Sequence, residues 1–234
     1  TKMFITNGPV ADVVIVYAKT DPEAGAKGIT TFLVEDGFPG FSKGEKLKKM
    51  GARSSPTGEL VFENCVVPEE NVLGEINRGV KVLMSGLDRE RIVFSMAPVG
   101  GAQAAFDLAY RYAQERIQFG APIVSFQAIQ EILAEIATEV QAARLMAYWA
   151  ATRADRGENV SQEASYTKLF CSQVAIRAVG KAMEVFGGYG FIREFPIQRF
   201  YRDMKGIEFG AGTSQIQRMI ILRNLLSGAD PFPL

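Results

Sequence analysis

The sequence predicts an α+β fold: a β-rich segment over residues 1–74, then an up-down bundle of four helices over residues 75–234. Three observations predict it. Before Gly74, short runs of β-branched and aromatic residues alternate with Gly, Pro and Asp turns. After it, long stretches repeat apolar residues every three or four positions. Each of those stretches stops near a glycine or proline, as helices do.

The chain opens on Thr1-Lys2-Met3-Phe4, without an initiator Met or a signal peptide. It reads as the middle of a strand that ends at Phe4-Ile5-Thr6-Asn7-Gly8, so a piece of a longer protein is expected. Residues 13–18 form a continuous apolar run of strand length, residues 29–35 are β-branched, and residues 60–67 make a third candidate closed by Pro68. Gly8-Pro9, Asp36-Gly37, Pro39-Gly40 and Pro56-Thr57-Gly58 supply the turns between them. So few strands close no core of their own and must pack on something else. The first helix is expected over residues 78–119, with a bend near Pro98. A second spans 126–156 and ends near Gly157. A third spans 163–186, stopped by Gly187-Gly188. The last spans 213–226, ended by Gly228 and Pro231, with a short helix before it at 197–204. Helices this long with short connections pack as a bundle.

Composition excludes several functions. The chain has 26 basic and 26 acidic residues, so no overall field draws it to nucleic acid or an anionic membrane. There is no histidine, which removes the commonest proton-transfer residue and metal ligand. No metal is expected, and proton chemistry falls to a carboxylate, Lys, Tyr or Cys. Cys65 and Cys171 are read as two free thiols, in keeping with a reducing compartment. No apolar run reaches membrane-spanning length.

Projected at 3.6 residues per turn, Leu83, Leu87, Glu90, Phe94 and Ala97 fall on one stripe of the first helix. Glu90 is its single charge. It is either a stripe-edge residue that reaches water or pairs with Arg89 or Arg91, or a partly desolvated carboxylate suited to taking a proton from carbon. Asp88 and Arg91 stand at i and i+3, the spacing of an ordinary ion pair. Phe186-Gly187-Gly188-Tyr189-Gly190 is a helix cap, or a backbone that passes close to a flat ligand or a phosphate. Gly210-Ala211-Gly212-Thr213-Ser214 offers the same approach and then opens a helix, where Thr213 is an N-cap or the free amides meet an anion. Arg116, at the first helix's end, serves the helix dipole or a ligand phosphate.

The order of these motifs resembles the flavin-dependent acyl-CoA dehydrogenases along essentially the whole chain. The family's Trp-Ile-Thr-Asn-Gly strand looks like Phe4 to Gly8, with Phe in place of Trp. Its Glu-Arg-x-x-Phe-Gly helix end matches Glu115 to Gly120, its Gly-Gly-x-Gly turn Gly187 to Gly190, and its Arg-Asp-x-Lys Arg202 to Lys205. Its Gly-Thr-Ser-x-Ile-Gln-Arg helix start matches Gly212 to Arg218. The resemblance implies part of a middle β-barrel domain followed by the C-terminal bundle, without the N-terminal helical domain. It implies FAD, with Phe4 and Thr6 flanking the isoalloxazine, Thr213 and Gln215 at the diphosphate, and Ile5 and Ser214 as further cofactor contacts. Arg116, Gln127 and the turn from Glu184 through Gly187 to Gly188 would serve the cofactor of a neighbouring subunit, and Gln118 and Phe119 would also bind cofactor.

The base is where the sequence departs from many members. Those carry Tyr-Glu-Gly-Thr, but here Ala211 stands at the Glu position of Gly210-Ala211-Gly212-Thr213 and takes no proton. The isovaleryl-type and some long-chain members instead place the Glu on the first bundle helix, and Leu87-Asp88-Arg89-Glu90-Arg91 resembles that arrangement. The resemblance therefore implies αβ-dehydrogenation of a short or branched acyl-CoA. Glu90 would be the base, and Asp88, Arg89, Arg91, Ala211 and Gly212 would lie at the substrate. It further implies a homotetramer, electron transfer to an electron-transfer flavoprotein, and a bacterial cytoplasm or mitochondrial matrix. A non-catalytic flavin-binding part of a larger complex and an acyl-CoA oxidase are the alternatives.

Overall fold

A computed structural model describes residues 1–233. Its contacts divide it into two compact units, Thr1–Gly86 and residues from Leu87 onward.

The first unit holds two small antiparallel sheets and no closed barrel. Strands β1 (Lys2–Thr6), β4 (Phe41–Lys43) and β5 (Thr57–Phe62) form one, in the order β1-β5-β4; β2 (Val13–Lys19) and β3 (Ile29–Glu35) form the other. The second is in unbroken register from Val13 opposite Glu35 to Lys19 opposite Ile29. Their core is Val14, Val16, Val34 and Leu60. The apolar run at 13–18 alternates: Val14 and Val16 are buried, while Val13 and Ile15 are 53% and 58% exposed. This sheet buries one face, as antiparallel sheets commonly do, so its all-apolar strand leaves alternate side chains outside. The strand expected at 60–67 is shorter and shifted forward to β5. Asn64 takes φ 52°, which ends the extended run.

The first turns of helix α1 (Gly79–Phe94) belong to this unit because they sit against β3. A Cβ on Gly79 would lie 2.8 Å from Thr31 Oγ1 and 2.9 Å from the Ile29 carbonyl. Asn77 also donates its backbone N–H to Thr30 Oγ1 at 2.7 Å.

The helix expected over 78–119 is interrupted twice. α1 gives way to α2 (Met96–Glu115) at Ser95. Pro98 has no N–H for the Phe94 carbonyl four residues back, and its ring crowds that carbonyl. Ser95 marks the break, its hydroxyl donating to the Arg91 carbonyl at 2.6 Å. At the far end the helix stops at Glu115, and β6 (Ile117–Gln118) pairs with β7 (Ala121–Pro122). The loop between them is Phe119-Gly120, both at positive φ, 52° and 81°, as a two-residue type I′ hairpin turn requires.

The remaining helices are α3 (Gln127–Asp155), α4 (Ser161–Phe186), α5 (Ile197–Ile207) and α6 (Ser214–Leu226), all within two residues of the expected starts. Helices α2, α3 and α4 pack on one another, and α5 and α6 pack on α4. Their contact lines are alanines, fully buried at Ala102, Ala105, Ala109, Ala143, Ala147 and Ala178 among others. Side chains this small let helix axes approach closely, and Tyr112, Phe186 and Phe195 fill the end of the bundle as a stacked and edge-on cluster. The stretch Gly79–Glu115 is long and apolar enough, on length and composition, to cross a bilayer; here much of it is buried in protein, as in any bundle core. Both cysteines are free, and burial pushes the Cys171 thiol up to about 12.

Candidate functional site

Three groups of residues gather the positions singled out in the sequence. The first is the turn before α6. Ala211 takes φ 52° and Gly212 φ 92°, two successive left-handed residues that reverse the chain. Gly212 suits its place because φ 92° is a conformation that residues with a Cβ rarely adopt. Ala211, without that freedom, sits in a conformation that costs about 1–3 kcal/mol unless its surroundings hold it. They do. Arg91 Nε donates to the Ala211 carbonyl at 3.2 Å, and Gln217 Nε2 lies 3.1 Å from both the Ala211 and Gly212 carbonyls. Arg91 is buried and donates a second bond to Asp88 at 3.0 Å, so the i,i+3 pair exists and also reaches across to the turn.

Beneath the turn lies Lys168, at 1% exposure the largest fully buried side chain. Its ammonium donates to the Glu208 carbonyl at 2.9 Å. Burial lowers its pKa to about 8; Glu208 works against that shift and Arg91 adds to it. The Glu208 carboxylate is itself taken by Lys205, whose ammonium that hydrogen bond holds above the usual lysine value. The unfolded chain keeps the Lys168 proton up to about pH 10.5 while the folded chain gives it up near 8. Between those values the unfolded state binds more protons, so stability rises with pH. Urea midpoints of wild type and Lys168→Met, compared at pH 7.5 and 10, are expected to move in wild type's favour at the higher pH.

Glu90 stands one residue from Arg91 but on another side of α1. The expected apolar stripe is not a buried one: Leu83, Glu90 and Ala97 are exposed, and Leu87 and Phe94 are half-buried. The buried face is Arg91, Ile92, Ser95, Val99 and Ala102. Glu90 makes no hydrogen bond or ion pair among the described residues, and its neighbours Arg89 and Arg91 face elsewhere. Arg89 lines a crevice with Ile92, Val93, Ala151 and Asp155, away from the Ala211 turn. A charge that is buried on a small-residue helix face is Lys168 of α4 instead. It stands four residues after Ala164 and three before Cys171, and the same search for a single charge on an apolar face would have found it in α4.

Thr213 is the N-cap of α6, its hydroxyl accepting from the Ile216 N–H at 3.4 Å. Beside it Ser214 Oγ and Gln217 Oε1 are buried without a hydrogen-bond partner, a deficit an added polar group would relieve. Gln215 is exposed.

The second group is a groove that brings together Arg116, Gln118, Glu184, Gly187, Gly188 and Tyr189. Arg116 lies over the Tyr189 ring, 5.6 Å from its centroid. Gly187 adopts φ 58° and ψ −134°, open only to glycine, and neither Gly187 nor Gly188 has an atom within 4 Å of where a Cβ would stand. Their backbone is therefore bare toward solvent. Gly190 differs: a Cβ there would be 2.6 Å from the Met183 carbonyl, so helix packing explains it. Phe119 is 95% exposed at the hairpin tip. Gln127 heads α3 with its amide bonded to Glu131 at 3.0 Å and does not line the groove.

The third group is in the first unit. Register between β1 and β5 slips between Lys2 and Ile5, and Phe4 there takes φ 61°. The bulge turns the Phe4 ring outward at 75% exposure, a strained aromatic at a strand end. Ile5 is half-buried and Thr6 exposed.

Residues 77–226 match the family description "Acyl-CoA dehydrogenase, C-terminal domain", and residues 1–65 match "Acyl-CoA dehydrogenase, middle domain". The chain belongs to the acyl-CoA dehydrogenase family. Among its relatives, the mitochondrial isovaleryl-CoA dehydrogenase of Oryza sativa subsp. japonica is 50% identical over 224 residues, 96% of this chain and 55% of that protein. The butyryl-CoA dehydrogenase structure from Megasphaera elsdenii superposes with a TM-score of 0.93 at 43% identity, covering 96% of this chain and 59% of the other. A chain in the structure of the electron transferring flavoprotein of Acidaminococcus fermentans gives the same TM-score at 42% identity and the same coverage. The acyl-CoA dehydrogenase-like chain thus spans little more than half the length of these relatives.

Proposed function

We propose that the protein to which this chain belongs oxidises a short or branched acyl-CoA to its αβ-unsaturated thioester. Glu90 removes the α-proton, and Asp88, Arg89, Arg91, Ala211 and Gly212 lie at the substrate. The observation that supports this best is the hydrogen bond from Arg91 to the Ala211 carbonyl. It ties the helix turn bearing Glu90 to the place where many relatives carry their base, 120 residues away in sequence. A carboxylate from either position then works in one neighbourhood.

FAD fits the residues present. The bare Gly187-Gly188 backbone and the unpartnered Ser214 hydroxyl suit a flat, phosphate-bearing group. Thr213, Ser214 and Gln215 would hold its diphosphate at the start of α6, and Phe4, Ile5 and Thr6 would flank its ring. Arg116, Gln118, Phe119, Gln127, Glu184, Gly187 and Gly188 would serve the cofactor of a neighbouring subunit in a homotetramer. When bound, FAD supplies the hydride acceptor. Glu90, exposed in this chain, takes up the proton at a carboxylate oxygen. The remaining parts are an electron-transfer flavoprotein as acceptor and a bacterial cytoplasm or mitochondrial matrix as location.

The test is anaerobic addition of isovaleryl-CoA or butyryl-CoA to the full-length, flavin-loaded protein. Bleaching of the flavin spectrum is expected; no bleaching with either thioester overturns the reading, and peroxide release in air would mark an oxidase. Arg116→Ala is expected to retain less flavin, because a hydrogen bond to a charged group contributes about 1.5–3 kcal/mol. Equal absorbance ratios of mutant and wild type after dialysis would remove Arg116 from the cofactor.

A further inference from the structure

The segment 208–212 joins α5 to α6 and carries the position at which this family's members differ in their base. Its carbonyls are held from three directions: Glu208 by Lys168 of α4, Ala211 by Arg91 of α1 and Gln217 of α6, and Gly212 by Gln217. Two of the three donors carry a full positive charge and all three side chains are buried at 4% exposure or less. Buried cations usually meet carboxylates. Arg91 does so through Asp88, but the Glu208 carboxylate is taken by Lys205, and Lys168 spends its charge on a backbone oxygen. Folding a lysine into this place is unfavourable for stability. A neutral side chain of the same length would fill the volume without that penalty, but would leave the Glu208 carbonyl unheld. The turn it anchors contains Ala211 in a left-handed conformation, which persists only while its neighbours restrain it.

Building on the dehydrogenase reading, we propose that Lys168 is a positioning residue for the substrate turn: its ammonium fixes the Glu208 carbonyl so that Arg91 and Gln217 can hold Ala211 and Gly212 in one conformation beside the reacting thioester. Lys168 touches neither substrate nor cofactor. The charged groups around it are Glu208, which supports its protonated form, and Arg91, which opposes it. The full family of donors acts as one clamp, with Lys168 at its base, where α5 ends and the turn begins.

The experiment uses the full-length flavin-loaded protein as wild type, Lys168→Met, Lys168→Gln and Lys168→Arg. Amide hydrogen exchange is measured across residues 208–213 and across α2. In the Met and Gln variants the turn is expected to exchange at least tenfold faster while α2 is unchanged. Flavin content should stay constant, and bleaching at saturating acyl-CoA should slow at least fivefold. Lys168→Arg keeps a cation and should restore turn exchange to within threefold of wild type. Unchanged exchange in the turn overturns the proposal. So does equal acceleration in the turn and α2, or failure of both neutral variants to fold, since each marks a general structural role. A wild-type protein that does not bleach, with the turn still loosened in the variants, would count against the dehydrogenase reading and leave the clamp standing.

Discussion

Glu90→Gln in the full-length, flavin-loaded protein is expected to slow anaerobic bleaching by acyl-CoA about 100-fold or more, the range set by loss of a general base. Gln keeps the size and hydrogen bonding of Glu but takes no proton. Glu90 is exposed and holds no ion pair or hydrogen bond among the described residues, so its loss breaks none of their polar contacts. Flavin content, acyl-CoA affinity and melting temperature should therefore be those of wild type, which separates a chemical defect from a folding one. Adding Ala211→Glu to this variant should recover part of the rate. Ala211 already sits at φ 52° as a residue with a Cβ, so a longer side chain adds little new backbone strain, and its carbonyl stays on Arg91 and Gln217. Bleaching of Glu90→Gln at the wild-type rate would place the base on another residue.

Arg91→Met is expected to lower stability by about 2–4 kcal/mol, somewhat below the range for breaking a fully buried ion pair because Asp88 keeps some access to water. Two losses combine against one gain. The Asp88 carboxylate loses its cation, though its side chain is 21% exposed and recovers some hydration. The Ala211 carbonyl keeps only Gln217, with a left-handed alanine to hold. The loss of a cation near Lys168 works the other way, easing its protonation, and is the smaller effect. Met fills the stem's volume, so no large cavity follows. The measurement is chemical unfolding of wild type and variant at pH 7. Equal midpoints with equal slopes would mean that Arg91 contributes nothing net at this site.

Much of the architecture is legible in the sequence because it rests on local rules. Gly157, Gly187-Gly188 and Gly228 stop helices where a glycine should, and β2 and β3 follow their β-branched runs. Order and spacing of five short motifs were enough for the family. Other features needed the folded chain. The hairpin at 117–122 replaces the last turn of a helix because two positive-φ residues outweigh the helical pattern that precedes them. β4 is three residues long and exists only through its pairing with β5.

The sequence by itself determined the bundle, the family and the residues of the Gly187 and Ala211 turns, since periodicity and turn chemistry are properties of neighbours along the chain. Only the tertiary structure decided which charge is buried. Periodicity marks Glu90 and Lys168 alike, as one charge on a helix face of small or apolar residues. Burial depends on what packs against that face. Glu90 stands exposed on α1, whereas the Lys168 ammonium of α4 is buried against the 208–212 turn, whose Glu208 carbonyl gives it a partner.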